Sequence, residues 1–287
     1  MTTPTPVPSI TALAAQAKDF KTLHVPGNPL VLANAYDATS ARIIGSLPGC
    51  CALASASWAL AKTIGTDDEK LTLEQNFSLL EPIAAVAREL NLPLTVDVQD
   101  GYGDRLDEVI RRVITELGAV GVNLEDSHHE SGAMMGEEEA VERVRRAVAV
   151  AAEVGVPDFV VNARSDTFLV GAGELDESIR RGKKYLKAGA TTIYVFWPPS
   201  RDMVEADVKR VVDAFDGRAN IQPRKASQVQ TKALTTTDVA RMGAARVSVG
   251  PQLYRTATAA LQTAATELFF GRCLVGREGE DRRDVSH

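Results

Sequence analysis

Acidic, amide and guanidinium side chains recur in this sequence where apolar runs stop. In Leu94-Thr-Val-Asp-Val-Gln-Asp-Gly-Tyr-Gly103 the apolar residues Leu94, Val96 and Val98 suggest a buried parallel strand. Asp97 and Gln99 stand two apart, so the pleat would turn both to one side. Oxygen ligands gathered in this way suit a hard cation such as Mg²⁺. The same pattern recurs at Asn34, Ser57-Trp58, Glu125-Asp126, Asn162 with Arg164, Phe196-Trp197, Gln222 and Ser248. Two carboxylates and an arginine meeting at one mouth would hold a divalent cation and a small anionic carboxylic acid. The plain alternative is a set of helix caps and ion pairs.

Positioning these groups takes strands, and the sequence offers eight strand-like runs, at 30–34, 51–56, 93–98, 120–125, 158–163, 191–196, 218–222 and 245–249. Amphipathic stretches separate them, among them 73–90, 104–117, 136–153, 174–188, 203–215 and 235–242. In the first of these Phe77, Leu80, Ile83, Ala84 and Ala87 recur at spacings of three and four, the helical period. Gly118, Gly155, Gly189 and Gly243 follow helical stretches, where glycine tolerates the left-handed stop. Eightfold strand–helix alternation predicts an α/β fold, a (β/α)₈ TIM-type barrel, whose reacting groups gather at the C-terminal strand ends. A doubly wound open sheet is the alternative, weakened by the lack of a glycine-rich GxGxxG turn after the first strand. An extra N-terminal helix at 8–23 would close the lower end, and a long helix at 251–270 ends on Leu268-Phe269-Phe270. Residues 1–270 are expected to form one domain and 271–287 a polar, disordered tail.

The chain has 287 residues, 45% hydrophobic and 24% charged, with a net charge of -6. A mixed-sign, mildly acidic surface argues against nucleic-acid or anionic-membrane partners. Cys50, Cys51 and Cys273 form no zinc or disulfide spacing. With neither a secretory signal nor an 18-residue apolar run, a soluble, cytoplasmic protein is expected.

The segments Asn34-Ala-Tyr-Asp-Ala-Thr-Ser-Ala-Arg42, Ile64-Gly-Thr-Asp-Asp68, Asp97-Val-Gln-Asp-Gly-Tyr-Gly103, Gly121-Val-Asn-Leu-Glu-Asp126 and Asn162-Ala-Arg-Ser-Asp166 carry a resemblance. In order and register they resemble the isocitrate lyase / phosphoenolpyruvate mutase superfamily, over about residues 10–270. The resemblance implies a barrel that swaps its last helix between subunits in a homodimer or homotetramer. It also implies Mg²⁺ and chemistry on α-oxo or α-hydroxy acids through an enolate. Asp97 and Glu125 match the family's metal carboxylates, and Asp68 a loop aspartate beside metal and substrate. Arg164 matches the arginine that binds the substrate carboxylate, a pairing its bidentate fork suits. Ser57 and Trp58 fall where backbone amides hold the oxoacid.

Departures from the family pattern narrow the chemistry. The usual Asp-x-Asp has become Asp97-Val-Gln99, one negative charge fewer, so Mg²⁺ should bind more weakly. The lyase branch's Lys-(Lys/Arg)-Cys-Gly-His loop is replaced by Ser127-His-His-Glu-Ser-Gly-Ala-Met-Met135, which lacks the acid cysteine. At the phosphonomutase branch's cationic clamp this chain has Ser131, Ala133 and Phe196. What remains can hold an enolate and a carboxylate. C–C cleavage, in its simplest form decarboxylation of an oxaloacetate-like β-keto acid, demands least beyond that kit. His128 or His129 could return the proton, although a histidine pair in a polar loop is more often just solvated. Lys225 is a candidate for a second carboxylate, Tyr36 for the pocket floor, and Trp197 for an apolar wall that narrows the mouth. Rival readings are a phosphonomutase or C–P hydrolase, and a catalytically silent oxoacid-binding barrel.

Overall fold

A computed structural model describes residues 5–270; the expected tail at 271–287 lies outside them. Nine strands run in chain order: β1 (Leu30–Leu32), β2 (Asn34–Ala35), β3 (Leu53–Ser55), β4 (Leu94–Asp97), β5 (Gly121–Glu125), β6 (Val160–Ser165), β7 (Thr192–Val195), β8 (Ala219–Ile221) and β9 (Arg246–Ser248). Every pairing is parallel. The expected first strand is broken at Ala33 into two pieces. β1 pairs with β9 and β2 with β3, so the two halves of one strand join the first and last members of the row. The sheet is thereby a barrel, and the open-sheet alternative is set aside.

Helices wrap it: α1 (Ile10–Thr22), α2 (Ala38–Gly45), α3 (Ser57–Thr63), α4 (Leu73–Glu89), α5 (Leu106–Thr115), α6 (Glu137–Val154), α7 (Leu175–Lys187), α8 (Glu205–Ala214), α9 (Thr236–Met242) and α10 (Gln252–Phe269). α4 shows how sequence makes them. Thr72 accepts from the Gln75 amide while the Gln75 side chain takes the Thr72 N–H, a reciprocal cap. Phe77, Leu80, Ile83, Ala84 and Ala87 then fall on one buried face. α6 ends at Gly155 with φ 103°, a conformation that strains any side-chain-bearing residue. Ser57 and Trp58, which follow β3, open the short helix α3.

The apolar core lies between sheet and helices, where Leu94, Val96, Val122 and Val161 are buried. The alternate strand positions, inside the barrel, are polar. A relay of hydrogen bonds runs from Thr192 to Asn162, Asn162 to Asn123 and Asn123 to Asp97. Buried amides pay for desolvation only when bonded to one another, which fixes each in one orientation. No residue of α10 is buried, and Phe269 is 90% exposed. Among the described residues, no helix is long and apolar enough to cross a membrane.

Candidate active site

A cavity of about 510 Å³ opens inside the barrel, lined among others by Asp68, Asp97, Asn123, Arg164, Tyr194 and Arg246. Strand ends supply most of it, because parallel strands all finish at the same rim.

Asp97, the last residue of β4, is the most heavily bonded carboxylate. Its oxygens accept from the Ser57 N–H at 3.0 Å, the Ser57 hydroxyl at 3.1 Å, the Asn123 amide at 3.1 Å and the Gln99 N–H at 3.3 Å. The Ser57 amide at the start of α3 is thus taken by Asp97. Gln99 does not continue the pleat. The strand stops at Asp97 and Gln99 adopts φ +54°, so the pleat does not carry through to its side chain. Its buried amide instead donates to the Asp68 carboxylate at 2.9 Å and carbonyl at 2.8 Å, while its own oxygen lacks a partner. Burial, then the nearby Asp97 charge, raises the pKa of Asp68.

Arg164 lines the cavity from β6, two strands along from Asp97. Its Nε donates to Asp166 at 2.6 Å and its Nη1 to Glu125 at 2.5 Å, and its plane lies 4.5 Å from the Phe196 ring centre. Glu125 is pushed well above the usual carboxylate range by burial, against the pull of Arg164, with Asp166, Asp97 and Asp68 adding to the rise. Behind this pair, Asp126 accepts from the Tyr185 hydroxyl at 2.6 Å and the Asp166 N–H at 2.7 Å.

The structure brings Ser57, Trp58, Asp68, Asp97, Arg164, Trp197 and Lys225 to the cavity. Trp197 is 1% exposed and packs edge-on to Phe168, so it is a wall deep in the fold and does not narrow the mouth. Tyr36 lies outside the lining and stacks on Tyr254, while Asp37 caps α2. Neither His128 nor His129 lines the cavity. The loop folds back through a bridge between Ser127 and Met134. This leaves His128 facing Glu139 at 3.6 Å and the His129 N–H donating to Asp100 at 3.3 Å. As placed, neither imidazole reaches the space where a proton would be needed.

Tyr194, Asn123, Arg255 and Arg246 escaped the sequence reading. Three of them could have been found by counting back two residues from Phe196, Glu125 and Ser248 along the pleat. Arg255, 4.4 Å from the Trp58 ring, carried no such signal.

Among the described residues, no three carboxylate, histidine or cysteine side chains converge as a direct ligand set. The donor chemistry still suits a hard cation held largely through water. The Asp97 charge adds to the rise in proton affinity of both Asp68 and Glu125, and the Gln99 oxygen is buried without a donor among the described residues.

Residues 20–269 match the family model described as phosphoenolpyruvate phosphomutase. The chain belongs to the phosphoenolpyruvate mutase/isocitrate lyase superfamily. An uncharacterized Mycobacterium tuberculosis protein is 30% identical over 262 residues, 89% of this chain and 90% of that protein. The 2-methylisocitrate lyase of Escherichia coli is 29% identical over 64% of this chain but only 62% of its own length. A crystal structure from Burkholderia cenocepacia, provisionally named a phosphonomutase, superposes with a TM-score of 0.75 at 32% identity, covering 90% of this chain and 99% of that one.

Proposed function

We propose that this superfamily member is a Mg²⁺-dependent lyase that breaks a C–C bond in a small α-oxo or α-hydroxy carboxylic acid through an enolate. The observation that carries the reading is Arg164, held by Glu125 and Asp166 against the same cavity that Asp68 and Asp97 enter. Among the described residues Arg164 Nη2 has no hydrogen-bond partner, which leaves it for a substrate carboxylate. Asp97, Glu125 and Gln99 would hold Mg²⁺, Asp97 and Glu125 mainly through water. When bound, the ion supplies Lewis-acid stabilisation of negative charge on the oxo group.

Asp68 handles the proton in this reading. Its carboxyl lines the cavity and its raised pKa keeps a proton available nearer neutrality than an ordinary aspartate does. For a β-keto acid, the C–C electron pair flows into the oxo group as CO₂ leaves, and Asp68 returns a proton to the enolate carbon. The exposed flank of α10 is covered in this reading by another copy, in a homodimer or homotetramer, and the protein works in the cytoplasm.

A second reading, phosphonomutase or C–P hydrolase, draws on the family model's description and on the name of the Burkholderia relative. The test is to incubate the protein with oxaloacetate, malate-type acids and phosphonopyruvate, with Mg²⁺ or EDTA. Pyruvate with CO₂, lost in EDTA, supports the lyase; pyruvate with phosphate supports the second reading. Oxalate binding without turnover of any substrate leaves a silent oxoacid-binding barrel and sinks both.

A further inference from the structure

Arg246 is a buried guanidinium without an acid. It opens β9, is 3% exposed and lines the cavity from within the barrel. No carboxylate pairs with it among the described residues, and its Nε has no hydrogen-bond partner. Among the described residues its head group makes one hydrogen bond, Nη1 to His24 Nε2, at a long 3.5 Å. That imidazole cannot supply a charge. His24 is half-buried, its pKa pushed down to about 3 by desolvation and by Arg246, and its Nδ1 lies 3.0 Å from the Phe20 carbonyl. Burial pushes Arg246 down to about 9, which leaves it cationic at neutral pH.

A lone cation inside a protein is held at heavy desolvation cost, and a barrel interior is ordinarily filled with branched apolar side chains. The position has a defined relation to Arg164. In the sheet register Arg164 pairs with Tyr194, Tyr194 with Asn220, and Asn220 with Arg246. The two arginines therefore stand on one hydrogen-bonded row, three strand steps or roughly 14 Å apart along the sheet. Both side chains line the same cavity.

We infer that the lower end of the cavity is a second anion subsite, with Arg246 as its cation and a carboxylate as its ligand. The carboxylate comes either from the far end of a dicarboxylic substrate or from a separate small monocarboxylic acid. The first source rests on the lyase reading above; the second does not. An amide at position 246 would fill the space without the charge, so the wild type should select the anion and the amide should not.

Calorimetry on the full chain separates the cases, with acetate, succinate and pyruvate as probes and with R246Q, R246K and R164Q as variants. With Arg246 removed, pyruvate reports on Arg164: R246Q should bind it and the double variant R164Q/R246Q should not. If the double variant binds pyruvate as R246Q does, the lyase reading loses its anchor while Arg246 is judged separately. Succinate affinity should fall at least tenfold in R246Q and recover in part in R246K. If wild type binds one more equivalent of acetate than R246Q does, the ligand is a separate monocarboxylate. Wild-type and R246Q protein binding succinate and acetate equally overturns the inference. Should R246Q fail to fold, the wild type decides. Acetate and succinate at constant ionic strength must raise its Tm, and no rise from either overturns the subsite.

Discussion

Arg164 and Asp166 sit two residues apart at the end of β6, and the Arg164 Nε donates to the Asp166 carboxylate at 2.6 Å. The backbone thus carries its own clamp for the Arg164 guanidinium. Asp166 is fully buried and also accepts from the Ser127 hydroxyl, which ties the clamp to the rebuilt loop. Asp166→Asn keeps the shape but removes the charge facing Arg164. Removing one partner of a buried pair costs about 3–5 kcal/mol in stability. KM for the acid should rise more than kcat falls, because the guanidinium loses its aim. An unchanged KM, measured by steady-state kinetics on the folded variant, would show that Asp166 does not orient Arg164.

Gln99→Asp tests the neutral amide at the acidic cluster. The new carboxylate would face Asp68 where the amide now donates twice. Like charges at that distance repel, and a divalent cation relieves the repulsion. Mg²⁺ should bind at least tenfold tighter than to the wild type by calorimetry, and the variant without metal should melt lower. Equal Mg²⁺ affinity in the two proteins would place this side chain away from the ion.

Asp126 predicts a pH dependence of stability. Burial, with Asp166 close by, raises its pKa from the ordinary 3.8 to about 7. Between those values the folded state holds a proton that the unfolded chain has lost. The contribution is therefore fully present below about 4, declines as pH rises toward about 7, and is gone above it. Urea titrations from pH 4 to 8 should show this decline in the wild type and a flatter profile in Asp126→Asn. Parallel profiles would mean that Asp126 is ionised throughout.

Gly182 on α7 marks a close helix contact. A methyl group there would lie 2.4 Å from the Phe215 ring and 3.0 Å from Ile193. Phe215 is fully buried and has no room to retreat. Gly182→Ala should cost about 1–3 kcal/mol in urea unfolding, with activity per folded molecule preserved. A stability equal to the wild type would show that α7 and α8 shift apart freely.

The barrel was legible in the sequence because its signals are local. Alternation of short apolar runs with helical periodicity needs no tertiary contact to be recognised. The expected bounds of α4 at 73–90 and the observed Leu73–Glu89 differ by one residue, since caps and spacing both lie within the segment. The break at Ala33 was not legible. It arises because the first strand must pair with β9 on one side and β3 on the other as the sheet closes.

The sequence by itself determined the chemical inventory: Asp68, Asp97, Glu125 and Arg164 at strand ends or in a neighbouring loop, and the Gln99 that departs from its family. Only the tertiary structure decided what each of them faces. The left-handed turn at Gln99 sends its amide to Asp68, the folded-back loop carries His128 and His129 away from the cavity, and closure of the barrel strands Arg246 inside without a counter-charge. Residue type sets what a side chain can do. Its partners are set by backbone dihedrals and by strands more than a hundred residues apart in the chain, and no local pattern records either.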